Sequence, residues 1–196
     1  LSSETQALLQ QAWGEYWSRA GDLERALQHK HRALNIFERL GDARQILSTF
    51  NNLSTVYIEV GDYGLAIQYA QKVLGAKLRG PVEPYLLSSV HLNLGAAYFL
   101  RGSLAQAIEH YRTGLEQASA AGLPVHVNRA HYNLAEAHYK RFLDARDPED
   151  ERLGDEHSAH ALKASPEDSD IGHLEATRSL KREVLGEGIG FVHERL

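Results

Sequence analysis

Cysteine is absent from the 196 residues, which excludes disulfides, thiolate metal centres and a cysteine nucleophile. Methionine is absent too and the chain opens on Leu1, so a fragment, a trimmed chain or the omission of modified methionines is expected. Long apolar runs are lacking: nothing approaches the roughly 20 residues that span a bilayer, and the first residues lack the charged-then-apolar layout of a secretion signal. A cytoplasmic protein with no membrane contact is the expectation. A basic stripe is lacking as well. With 21 Lys and Arg against 26 Asp and Glu, the formal charge of -5 argues against direct nucleic-acid contact by this segment. No hairpin dipeptide stands between alternating apolar runs, so strands are not expected.

What the chain does contain is a repeat. Asn51-Asn52-Leu53-Ser54-Thr55-Val56-Tyr57, then Gly61-Asp62 and Ala66-Ile67, returns as Leu92-Asn93-Leu94-Gly95-Ala96-Ala97-Tyr98, Gly102-Ser103 and Ala107-Ile108. Upstream it reads Ala12-Trp13-Gly14-Glu15-Tyr16-Trp17, Gly21-Asp22 and Ala26-Leu27, and a decayed copy is Tyr132-Asn133-Leu134-Ala135-Glu136-Ala137-His138. Trp13, Leu53, Leu94 and Leu134 align at intervals of 40, 41 and 40 residues. Such self-similarity marks stacked helix pairs, each unable to bury its apolar face alone. Trp13 with Trp17, Leu53 with Tyr57 and Leu94 with Tyr98 stand four apart on one face as core stripes. Gly-Asp and Gly-Ser end one helix and cap the next. The spacing predicts helices near 3–20, 22–40, 42–60, 62–79, 82–101, 103–121 and 124–143, in units near 3–41, 42–81, 82–122 and from 123 onward.

The small residue before the aromatic, the Gly-Asp turn and the Ala of the second helix resemble the tetratricopeptide repeat, over residues 5 to about 140. The resemblance implies an all-α, right-handed superhelical solenoid of antiparallel helix pairs and a non-enzymatic interaction module. The long period and the Asn-Asn-Leu signature are similar to kinesin light chains, spindle-orientation adaptors and the sensor regions of bacterial transcriptional regulators.

Beyond residue 140 the pattern breaks. A charged loop is expected over Asp144 to Glu151, with a short second helix of the divergent fourth unit through Ala161-Leu162. A capping helix is expected over about 168–185, with Leu174, Leu180 and Val184 inward, then a mobile Gly-rich tail over 186–196.

Asn52, Asn93 and Asn133 share one repeat position. An amide there has one acceptor and two donors, suited to the main chain of an extended peptide. It also suits a tie from one helix to the next, and the periodicity fits both. Asn51, Thr55, Ser89, Phe99, Arg129, Tyr132, Glu136 and Tyr139 lie about a turn away and complete the expected wall for a protein or peptide partner. The paired cations with which chaperone-binding relatives hold a terminal carboxylate are lacking: one window reads Gln11, Glu15, Asn52, Ser89 and Asn93, and the next retains only Arg129. His131, His138, His157 and His160 supply no closed four-ligand set, so no metal is expected. No phosphate loop, nucleophile elbow or cofactor fingerprint is present. The function expected is peptide or partner binding on the concave face, with a ligand-sensing domain of a bacterial regulator and a homodimerisation scaffold as alternatives.

Overall fold

In the computed structural model, which describes residues 2–77, 80–164 and 179–185, eight long helices follow one another: α1 Ser3–Arg19, α2 Leu23–Leu40, α3 Ala43–Val60, α4 Tyr63–Lys77, α5 Pro84–Leu100, α6 Leu104–Ala120, α7 Pro124–Ala145 and α8 Pro148–Ala164. Residues 179–185 form a further helical segment, and the described residues contain no strand. The turns work as their residues dictate. Asp22, Asp42 and Asp62 accept hydrogen bonds from the backbone N–H of Arg25, Gln45 and Leu65 at 3.0, 3.1 and 3.0 Å. Gly41 and Gly61 stop α2 and α3 in the left-handed region, at φ of 69° and 87°, where a Cβ is strained.

Each helix packs on its chain neighbours, and α1·α2, α3·α4, α5·α6 and α7·α8 form the pairs. Leu53, Leu94 and Leu134 are at most 1% exposed, each contributing about 1.5–3 kcal/mol of apolar burial. Ala66, Ile67, Ala70 and Val73 of α4 meet Val90, Leu94 and Ala97 of α5. Leu92 of α5 meets Ala107, Ile108 and Tyr111 of α6 and Ala130, Leu134 and Ala137 of α7. The first helices also touch one another directly, α3 with α5 and α5 with α7, whereas α2 and α4, or α4 and α6, have no contact of that extent. α3, α5 and α7 are therefore the inner row of the stack.

Three expectations need correction. The charged stretch after residue 143 is helical for most of its length. α7 continues to Ala145, Arg146 turns the chain at φ 55°, and α8 begins at Pro148. Proline at a first helical turn followed by Glu149, Asp150 and Glu151 suits a helix start. Consequently α8 is 17 residues long, matching α5 and α6. Trp13 is 43% exposed although Leu53, Leu94 and Leu134 at its repeat position are buried. Outside α1, the one ring contact of Trp13 among the described residues is with His29 of α2, stacked with centroids 6.1 Å apart. Of the capping helix, Leu180 and Val184 pack beside Ala135 and Tyr139; Leu174 and the 186–196 tail lie outside the described residues.

Candidate functional site

The three repeated asparagines have different surroundings. Asn93 is 1% exposed and its Nδ2 donates to Asn51 Oδ1 and Thr55 Oγ1 of α3, both at 3.0 Å. Asn51 in turn donates to Ser89 Oγ at 3.1 Å. This closed network joins α3 to α5, so the amide of Asn93 has the helix-tying role. Asn51 at 8% and Ser89 at 9% exposure are buried with it.

At the α5–α7 junction the positions corresponding to Asn51 and Thr55 hold Leu92 and Ala96, which offer no side-chain oxygen. Half-buried Asn133 makes no side-chain hydrogen bond among the described residues. At the α1–α3 junction those positions hold Gln11 and Glu15. Gln11 donates instead to Gln45 and Thr49, at 3.4 and 3.3 Å. Glu15 pairs with Arg19 at 3.2 Å and with Lys30 at 3.6 Å. Asn52, also half-buried, is left without a side-chain hydrogen bond and lines a cavity of about 240 Å³ with Ser18, Lys30, Thr55 and Glu59.

The remaining candidates divide by location. Arg129 is exposed and Glu136 half-buried; burial raises the pKa of the Glu136 carboxyl against the pull of Lys140. Phe99 packs against the α5–α6–α7 core. Tyr132 and Tyr139 do not join an open wall. Tyr139 is 1% exposed, its hydroxyl donates to Asp155 Oδ1 at 2.9 Å, and both tyrosines pack in the cluster of Leu180. Tyr132 stands at the repeat position of Leu92, which α7 covers, so residues 179–185 sit on α7 much as α7 sits on α5.

Lys30 is a residue that the motif reading passed over. It is 4% exposed on the buried stripe of α2, among Ala26, Ala33, Leu34 and Phe37. Its repeat position holds Ala70 and Tyr111 in the following pairs. A lysine amid that stripe is visible in the sequence once the second helices are aligned.

Another repeated constellation links each first helix to its own second helix. Tyr57 stacks on Tyr69, with centroids 5.5 Å apart. In the next pair Tyr98 stacks on His110 at 5.4 Å, and His91 Nδ1 meets His110 Nδ1 at 3.2 Å. In the last pair His138 stacks on His157 at 5.7 Å, and His131 Nδ1 meets His157 Nδ1 at 2.9 Å. Burial first, then the neighbouring His131 and His138, lowers the pKa of His157 to about 4. His138 is fully buried and donates from Nδ1 to Asp150 Oδ1 at 2.8 Å. Burial opposes ionisation of Asp150, but hydrogen bonds from Arg141 and His138 outweigh it and hold the carboxyl below its usual pKa. No group of three or more His, Cys, Asp or Glu side chains among the described residues has the geometry to hold a metal ion.

Helix pairs stacked in chain order, with first helices forming an inner row, define a tetratricopeptide-like helical solenoid. The tetratricopeptide repeat family model matches residues 6–78, the span of α1 to α4. Repeats of this kind generally mediate protein–protein interaction, and the family is typically non-enzymatic. A comparison with curated proteins finds no match. No helix among the described residues is long and apolar enough to cross a membrane.

Proposed function

We propose that the inner row of first helices is a concave face that binds an extended segment of a partner protein, chiefly by its main chain. The observation that carries this reading is the open amide of Asn52, half-buried, without a hydrogen bond and beside a cavity. A half-buried amide without a partner is costly when water is excluded, and a peptide backbone supplies the donor and acceptor it lacks. Asn133 offers a second such amide. Asn93 acts from behind by locking α3 to α5. The formal charge of -5 favours a protein over a nucleic acid as the partner.

The test is an array of random peptides probed with the wild-type chain and with Asn52→Ala, Asn133→Ala and Asn93→Ala. Asn52→Ala and Asn133→Ala are expected to weaken binding with unchanged melting temperature, each lost bond contributing on the order of 1 kcal/mol. A wild-type chain that retains no peptide contradicts the proposal.

A second reading, self-association, is favoured by one observation. Leu8, Leu9, Trp13 and Tyr16 of α1 are 44, 45, 43 and 56% exposed, a partly covered apolar row on the first helix. In this reading the self-association contact lies at the first pair. Mass by light scattering decides: a concentration-dependent dimer lost in Trp13→Ser supports it, and a monomer at all concentrations excludes it.

A further inference from the structure

The contact between the two helices of a pair is conserved in place but not in chemistry. A Cβ added at Gly95 would lie 2.3 Å from the Tyr111 ring, and one added at Gly14 would lie 2.7 Å from Lys30 Cγ. The stem of Lys30 therefore fills the space that an aromatic ring fills two pairs later, while its end carries a charge. That ammonium is poorly matched for so buried a side chain. Its one ion pair is to Glu15 Oε2 at 3.6 Å, and no hydrogen bond within 3.5 Å is made to it among the described residues. Burial lowers its pKa against the pull of Glu15. A buried ammonium with unfilled donors costs several kcal/mol, and a carboxylate with good geometry offsets that cost.

Two further donors border the same cavity. The hydroxyl of Ser18 is shielded from solvent and has no hydrogen-bond partner, and the amide of Asn52 has none either. The Lys30 ammonium, the Ser18 hydroxyl and the Asn52 amide thus border about 240 Å³ between α1 and α3, room for a carboxylate on a short stem. We propose that this cavity is a specificity pocket for the carboxylate of one Glu or Asp side chain of the bound peptide, paired with Lys30 and hydrogen-bonded by Asn52 and Ser18. The proposal rests on the peptide-binding reading above and names the residue that the face selects.

The surrounding charges refine the choice. Glu15 is the fold's own stand-in for the ligand: its side chain is 52% exposed and is also held by Arg19 at 3.2 Å, so it can withdraw to Arg19 when another carboxylate arrives. Glu59 lines the rim. A second negative charge on the ligand would face it, so the pocket suits a monoanion and disfavours a phosphorylated side chain.

The test titrates the labelled full chain with N-acetyl-glutamate methylamide, followed by NMR, with the glutamine analogue as control. Saturable shifts are expected at Ser18, Lys30 and Asn52, weakened about tenfold or more by Lys30→Gln, tightened by Glu15→Gln, and absent with the glutamine analogue. Equal shifts from both analogues, or no response to Glu15→Gln, overturn the pocket. Glu15 is exposed, so that variant remains informative if Lys30→Gln fails to fold. The peptide array separates the two readings. Peptides retained with no enrichment of Glu or Asp also overturn the pocket, whereas saturable N-acetyl-glutamate binding with no peptide retained upholds the pocket and overturns the peptide-binding reading.

Discussion

The α3–α5 junction is closed and the α1–α3 junction is open, although both are built from the same repeat positions. At α3–α5, Asn93 finds Asn51 and Thr55, and α4, the second helix of that pair, has Ala70 at the core position. At α1–α3, Asn52 faces Glu15 in place of Thr55, and Lys30 of α2 stands in place of Ala70. A charge in the core position draws Glu15 away from the asparagine and leaves a cavity. The first-helix residues that face the asparagine from one repeat earlier therefore decide whether it is tied into the seam or left open.

The largest expected effect comes from the core position itself. Tyr111→Ala should lower unfolding free energy in urea by about 3–5 kcal/mol, as for other large aromatic truncations. Lys30→Met, at the same repeat position, should leave stability unchanged or raise it by up to about 1–2 kcal/mol, because an apolar side chain replaces an imperfectly paired charge. Similar losses at both positions would break the contrast. Asn93→Ala should cost about 1–3 kcal/mol by leaving Asn51 and Thr55 unmatched inside the seam, whereas Asn52→Ala should change stability by less than about 0.5 kcal/mol. Thermal melts of the two variants check this.

The last pair responds to acid. His157 is neutral above its ordinary pKa of 6.5 in folded and unfolded chains alike. Because burial holds the folded value near 4, the unfolded chain takes up a proton first as pH falls. The stability present above pH 6.5 is therefore lost between 6.5 and about 4, by about 1–2 kcal/mol after allowance for the half-exposed ring. The loss should shrink in His157→Phe, read by urea titration at each pH.

The helices and turns were legible because their signals are local. Gly41 and Asp42, or Gly61 and Asp62, each end and start a helix within a few residues. The asparagine position was legible from its spacing, but the fate of each amide was not, since it depends on residues one repeat earlier: Asn51 and Thr55 for Asn93, Leu92 and Ala96 for Asn133, Gln11 and Glu15 for Asn52. Tyr132 and Tyr139 were read as groove residues because helical spacing does not distinguish the groove from the side on which the next helix stacks. Trp13 matches the core motif, yet it is 43% exposed because no described helix precedes α1 to cover it as each later first helix is covered. Lys30 lies outside the first-helix motif, and its significance appears only beside Ala70 and Tyr111 at the same position of the later second helices. The continuation through Ala145 and the full length of α8 were obscured by the density of charge, which a helix start tolerates well.

The most direct measurement is the binding isotherm of Asn52→Ala beside its thermal melt, using a peptide selected from the wild-type array. Binding about fivefold weaker with an unchanged melting temperature is expected, corresponding to one lost hydrogen bond of about 1 kcal/mol. Undiminished binding by a chain that melts early would instead show Asn52 to be another helix tie and contradict the open seam.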